Sequence, residues 1–385
     1  MIIRPATRTE SVKEYYFSKK LKEIAELNQD GRTEPIINLG IGAPDGRPPQ
    51  AALDKMCEVT QMSGVHKYQS YNGIPELREA FADWYRRYYR VTLDPKNEIQ
   101  PLTGSKEGIL ITCLAFLDKG DKVLIPDPGY PTYASAARLC EAEIVNYDLK
   151  EENGYQPDFD ALESMDLSGV KIMFTNYPNM PTGGAATREL YQKIVAFAKA
   201  HSILVVNDNP YSFILNDDPL SILEVPGSKD CCLELNSLSK AHNMSGWRVG
   251  MVGGSAEIIA EVLKVKSQLD SGIYRGIQLS AVEALRQGDD WFKALNDEYR
   301  ARRVAAGEIM DLIGAKYNPD STGLFLWGKV EGMGVDVSDK YLYGAGVFIT
   351  PGFIFGKNGE HFVRISLCAP VETLHAAKQR ILSIL

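Results

Sequence analysis

No Cys-x-x-Cys pair occurs among the six cysteines, and the five histidines are scattered, so no zinc-ligand spacing can be read. Cys57, Cys113, Cys140, Cys231, Cys232 and Cys368 are expected as free thiols of a reducing cytosol, several of them in apolar surroundings such as 111–116. No apolar run approaches the roughly 18 residues that a membrane-spanning helix needs. The first ten residues are polar and include Arg4 and Arg8, without the apolar centre of a secretory leader. Positive charge is not in excess: 42 Lys and Arg against 50 Asp and Glu give a net charge of −8, which argues against a nucleic-acid surface as the main business. Internal repeats, low-complexity tracts and long Gly/Ser linkers are missing too. These absences leave a cytoplasmic globular protein with neither a membrane nor a nucleic-acid partner.

A hydrophobic share of 44% and a charged share of 24% are those of a protein with a real core, and 385 residues exceed one minimal domain. Short apolar runs at 122–126, 170–176, 203–207, 232–235 and 249–252 read as strands. Their lack of strict alternation suits burial on both faces. Helix-like stretches at 133–140 and 188–200 fall between them, which predicts an α/β fold with a mostly parallel central sheet flanked by helices. The ends differ. Residues 11–27 read as one charged amphipathic helix with Ser11 as N-cap, and 289–313 as a long helix. Strands at 323–330, 347–350 and 362–367 and a closing helix at 371–385 follow. The expected division is a large domain over 48–288 and a smaller α/β domain made from 1–47 and 289–385.

The most informative stretch is Ser237-Leu-Ser-Lys240, followed by Gly246, Arg248 and Gly250. A lysine beside two hydroxyls and an arginine is the set needed to anchor pyridoxal phosphate, whose aldehyde forms an imine with lysine and whose phosphate needs donors and positive charge. Alone, the four letters also fit a solvated loop. Residues 103–108 (TGSKEG) open an amphipathic helix, and Ser105 and Lys106 stand where its N-terminus can receive a phosphate. Tyr130, in 127–133 after a strand, has a ring that can stack on a flat ligand at a strand end. Asn176 and Asn179 follow the next strand. Asp208 ends another, where a partly buried carboxylate needs a cationic or donor partner. Arg364 lies inside the apolar 362–366 strand, pointing opposite to Val363 and Ile365, and can meet a carboxylate with two bonds. Each has a plain alternative: a capped helix, a packed turn, or an edge arginine in solvent. The glycines of 37–46 (INLGIGAPDG) do not make a nicotinamide site, because the third glycine position holds Asp45 and Pro44 and Pro48 obstruct the helix that must follow.

Taken together, these motifs resemble the class I/II aminotransferases, pyridoxal-phosphate enzymes of the aspartate aminotransferase fold (fold type I). The resemblance spans 37–367 with the motifs in the family's order. It implies Lys240 as the Schiff-base lysine and as general base and acid. It implies Asp208 as the partner of the ring nitrogen, Tyr211 as donor to the phenolic oxygen and Tyr130 as the stacking ring. The phosphate is then held by Ser105, Lys106, Ser237, Ser239 and Arg248, with Ser105 and Lys106 acting mainly through backbone N–H groups. Arg364 and the backbone of Gly42 hold the substrate α-carboxylate. Tyr68, ahead of 73–78 (GIPELR), resembles the tyrosine that reaches the partner's active site in a homodimer. Residues 351–356 resemble the family's small-domain loop. The N-terminal helix resembles the part that reaches over the site, so Tyr15 and Tyr16 are expected near the substrate side chain. Arg47 is weighed between an acidic substrate group and a solvated loop.

One position departs from the family. Met180 stands in 180–183 (MPTG) where an asparagine usually donates to the ring's phenolic oxygen, and a thioether is no donor. The loss is expected to raise the pKa of the internal imine. The activity implied is amino transfer between an L-amino acid and a 2-oxoacid such as 2-oxoglutarate or pyruvate, within amino-acid biosynthesis. A C–S β-lyase and a non-catalytic cofactor-binding regulator are the alternatives of the same fold. Residues 265–278 resemble the branch that includes diaminopimelate, alanine and aspartate aminotransferases.

Overall fold

A computed structural model describes residues 2–29 and 34–385. Met1 and residues 30–33, part of the expected smaller domain, lie outside the described residues. The strands are β1 (Ile37–Asn38), β2 (Ile99–Leu102), β3 (Lys122–Asp127), β4 (Glu143–Asp148), β5 (Val170–Asn176), β6 (Leu204–Asp208), β7 (Cys232–Ser237), β8 (Gly250–Gly253), β9 (Lys316–Tyr317), β10 (Phe325–Lys329), β11 (Val347–Phe348), β12 (Thr350–Pro351) and β13 (Phe362–Ser366).

Seven strands form one sheet in the order β2-β8-β7-β6-β5-β3-β4. Pairs from β4 through β7 are parallel, and β8 runs against both its neighbours. This is the mostly parallel sheet that unalternating apolar runs predict. Every residue of β7 is buried, and so are all but the first of β3 and β6. Apolar clusters cover the sheet on both sides, so neither face of these strands meets water. The chain runs from β3 out to β4 and returns to β5 on the other side of β3. That reversal of strand order opens a crevice at the carboxyl ends of the strands, where α/β sheets bind ligands.

A four-stranded sheet, β12-β13-β10-β9, is antiparallel, and β1 pairs with β11 in parallel. The long helix Asp289–Leu312 packs against the closing helix Val371–Leu382.

Three local expectations are corrected. Residues 11–27 are not one helix: Ser11 ends a 3₁₀ turn, Thr7–Ser11, and the α-helix is Tyr16–Gln29. Thr9 and Ser11 bond back to the carbonyls of Ala6 and Arg8, and such local bonds compete with helix propagation. Residues 347–350 split into two strands at Ile349, one joining β1 and the other β13. The 203–207 strand lies one residue later, so Asp208 is its last paired residue, opposite Leu235.

Candidate active site

The carboxyl ends of β5, β6 and β7 deliver Asn176, Asp208 and Ser237 to one place. Asp208 is buried, and its Oδ2 accepts a hydrogen bond from Tyr133 Oη at 2.9 Å, while its Oδ1 has no partner among the described residues. Tyr133 is itself locked by stacking on Phe174, 4.6 Å between ring centroids at 8°. Burial pushes the Asp208 carboxyl up to about 7, against the pull of the Tyr133 bond, the Lys240 charge and Ser105. Asn176 supports the turn behind it: its Nδ2 donates to Asp208 O at 2.6 Å and its Oδ1 accepts from Met180 N at 2.7 Å.

Lys240 sits in the short helix Leu238–Ala241 directly after β7, capped by Ser237 Oγ. Its Nζ donates to Gly42 O at 2.5 Å and lies 5.9 Å from the Tyr211 ring centroid. Burial lowers its pKa, Arg364 and Arg248 add to the effect, and Cys368 and Asp208 oppose it. A lysine so placed gains a larger neutral fraction, as a nucleophilic amine or general base requires.

An anion cradle adjoins it. The helix Ser105–Phe116 starts at Gly104 with no side-chain cap, which leaves its first N–H groups and dipole facing the cavity. Arg248 Nη1 donates to Ser239 Oγ at 3.4 Å and Ser245 O at 2.8 Å, and Nη2 to Thr103 O at 3.2 Å. Gly104, at φ +90°, is required here, since a Cβ would overlap the Arg248 guanidinium. Gly250 lets the strand run beside this turn, where a Cβ would lie 2.9 Å from Ser105 N.

Arg364 is buried on β13, which lies between β12 and β10, so the solvated edge arginine is excluded. Its guanidinium carbon sits 3.9 Å from the Phe325 ring centroid, 4.6 Å from Phe355 and 5.5 Å from Phe17. Nη2 donates to Gly40 O at 2.6 Å, Nη1 contacts Met180 Sδ at 3.2 Å, and Nε is unpartnered among the described residues. Burial pulls its pKa down to about 10, still charged at neutral pH.

These groups line one cavity of about 590 Å³. Of the candidate site residues read from the sequence, Tyr16, Arg47, Tyr68 and Asn179 lie off this cavity and the others line it; Tyr68 is 90% exposed elsewhere on this chain. Lys106 brings its side chain as well as its backbone: Nζ is 4.5 Å from the Tyr15 ring centroid. Two expectations are corrected. Tyr16 turns away from this cavity and packs edge-on against Phe353 at 5.9 Å. Arg47 is exposed and lies off the cavity, where its carbonyl accepts from Asn243. Sequence reasoning missed Tyr133 as the Asp208 donor and Phe17, Phe325 and Phe355 as the walls around Arg364. Only their contacts across the fold distinguish them from ordinary core aromatics.

The residues fit pyridoxal phosphate. The unpaired Asp208 Oδ1 suits a ring N–H⁺, the Lys240 amine an aldehyde, and the uncapped helix start with Arg248 a phosphate. The comparisons agree. The family described as "Aminotransferase class I and II" matches residues 34–381. An LL-diaminopimelate aminotransferase of Nitratidesulfovibrio vulgaris is 38% identical over 98% of each chain. One of Aquifex aeolicus is 39% identical over 95% of this chain and 98% of its own. Substrate-bound BacF from Bacillus subtilis superposes with a TM-score of 0.94 at 33% identity, over 100% of this chain and 98% of its own. Aspartate aminotransferase from Thermus thermophilus with maleate gives 0.91 at 26% identity, over the whole of both chains. The protein therefore belongs to the class I and II aminotransferases, enzymes of the aspartate aminotransferase fold that work with pyridoxal phosphate.

Proposed function

We propose that this aminotransferase moves an amino group from an L-amino acid to a 2-oxoacid such as 2-oxoglutarate or pyruvate, with Lys240 as the residue that bonds the cofactor. The observation that carries this reading is the Lys240 amine, biased toward neutrality by burial, in one cavity with the unpaired carboxylate oxygen of Asp208. Bound pyridoxal phosphate supplies an aldehyde that takes up the amino group and a ring that accepts the electron pair left on the α-carbon. The chain's own residues do the rest. Arg364, with its face packed on aromatics, holds the substrate α-carboxylate and thereby sets which α-carbon bond is aligned for cleavage. Lys240 Nζ, a free amine once the substrate amine has displaced it from the cofactor, would take the proton from that carbon. Asp208 Oδ1 would hold a proton on the ring nitrogen, Tyr211 would donate to the phenolic oxygen, and Tyr130 would stack on the ring. Ser105, Lys106, Ser237, Ser239 and Arg248 would hold the phosphate. The backbone of Gly42, already against Lys240, and Tyr15 bound the substrate.

LL-diaminopimelate is the first donor to test, because the curated relatives act on it by name and because Lys106 brings a further cation into the cavity, with no ion pair of its own among the described residues. We further propose the division into 48–288 and 1–47 with 289–385, and a cytoplasmic homodimer in which the exposed Tyr68 reaches the partner's site. No helix among the described residues is long and apolar enough to cross a membrane.

A panel of LL-diaminopimelate, L-aspartate, L-alanine and L-phenylalanine, each with 2-oxoglutarate and with pyruvate, tests the activity. Purified protein is expected to be yellow and bleached by borohydride. Lys240→Ala is expected to lose that bleaching and to fall about 10⁴-fold in kcat, the upper range for a general acid–base group. Release of pyruvate and ammonia from a cysteine conjugate, with no oxoacid acceptor and no transfer in the panel, establishes the β-lyase instead. A colourless wild-type protein refutes the role given to Lys240.

A further inference from the structure

We propose that Asp127 is a positioning residue that ties the cofactor-facing turn to the wall of the carboxylate site, and so sets how firmly Arg364 is held for substrate. Asp127 is the last residue of β3 and is only 5% exposed. Its carboxylate does not enter the active-site cavity. It faces the 352–359 loop, where Oδ2 accepts from Lys357 N and Oδ1 from Asn358 N, both at 3.0 Å. The main chain is tied as well: Asn358 Nδ2 donates to Asp127 O at 3.1 Å and to Asp148 Oδ1 at 2.8 Å, and Gly129 N donates to Phe355 O at 2.8 Å. Gly356 makes the approach possible. It stands at φ +139°, and a Cβ there would overlap Asp127 Oδ1.

Each end of this clamp carries a wall of the site. Three residues after Asp127 comes Tyr130, on the cofactor side of the cavity. Directly before Gly356 comes Phe355, whose ring lies 4.6 Å from the Arg364 guanidinium carbon. The two segments are some 230 residues apart in sequence, as the Asp127–Lys357 bond shows, and Asp127 meets the loop through both carboxylate oxygens. A charged acceptor taking two backbone N–H groups out of water is stronger than a neutral one and costly to leave half satisfied. Without it, Phe355 is free to shift off Arg364, and the guanidinium loses a face that fixes its plane. A bidentate carboxylate contact depends on that plane.

This role rests on the assignment of Arg364 to the substrate carboxylate. The test uses the holoenzyme, with the Kd for maleate (a non-reacting dicarboxylate) and the KM and kcat of the panel donor with the highest kcat/KM. Asp127→Asn places an amide N–H against one of the two backbone donors. It is expected to raise the maleate Kd and the donor KM about tenfold, with kcat and the cofactor Kd within about twofold. A loss of stability alone lowers Tm and leaves the constants of the folded enzyme in place. Unchanged maleate Kd and KM therefore overturn the proposal, as does a matching loss of cofactor affinity. Should Asp127→Asn fail to fold, Asn358→Ala decides: it removes only the Nδ2 bonds and is expected to raise the maleate Kd about threefold. No change there overturns the clamp equally. Arg364→Ala separates the two readings. If it leaves maleate binding intact, the carboxylate assignment fails and the clamp with it. If it abolishes binding while Asp127→Asn changes nothing, only the clamp fails.

Discussion

Replacing Asp208 by asparagine is expected to stabilise the cofactor-free protein at alkaline pH while weakening its hold on the cofactor. The folded chain raises this carboxyl from its ordinary 3.8 to about 7, chiefly by burial. Between those values the folded state keeps a proton that the unfolded chain has released, so stability falls as pH rises and stops falling once both states are ionised. The full gap corresponds to about 4 kcal/mol at 1.36 kcal/mol per pH unit, and the part lying between pH 5 and pH 8 to about 3 kcal/mol. Asparagine has no such slope. Its amide oxygen still accepts from Tyr133, and its unpartnered Nδ2 costs about 1–3 kcal/mol at every pH, which cancels in the comparison. The measurement is urea unfolding of cofactor-free wild type and Asp208→Asn at pH 5 and pH 8. The variant is expected to gain about 3 kcal/mol relative to wild type between the two. With pyridoxal phosphate added the order turns, because a ring N–H⁺ meets a charge in wild type and a neutral amide in the variant. Cofactor binding is expected to weaken about tenfold to a hundredfold, read by equilibrium dialysis. An identical stability difference at both pH values would refute the account of Asp208 as a carboxylate held in reserve for a cationic ligand.

Gly104→Ala sets a methyl group against the Arg248 guanidinium at a backbone angle that glycine favours, and is expected to weaken cofactor binding about tenfold with kcat at saturating cofactor nearly unchanged. An affinity equal to wild type in a cofactor titration counts against the cradle. Met180→Asn restores a donor to the cavity and removes the thioether beside Arg364, so the pH midpoint of the bound cofactor's absorbance change is expected to fall. A midpoint that stays or rises shows that the residue at 180 does not reach the ring.

Apolar runs bounded by turn residues made the central sheet legible, because a strand buried on both faces leaves an unalternating hydrophobic signature that no surface strand shares. The N-terminal helix was less so. Its charged pattern continues through 11–27, yet Thr9 and Ser11 satisfy the preceding carbonyls locally and hold the α-helix back until Tyr16. That delay leaves Tyr15 on the cavity and Tyr16 off it. Arg364 carried no mark of burial in its own strand, since only the pairing order put β12 and β10 on either side of it. By itself, then, the sequence determined the strand–helix alternation, the lysine with its hydroxyls and arginine, and the loss of a donor at position 180. Those depend on residue type and short spacing. Tertiary structure alone decided that Tyr133 answers one oxygen of Asp208 and nothing among the described residues answers the other, that Met180 Sδ meets an arginine 184 residues away, and that Asp127 grips the 352–359 loop. Such contacts arise only when distant segments pack together, and no local pattern in the chain encodes which buried polar atom will be left without a partner.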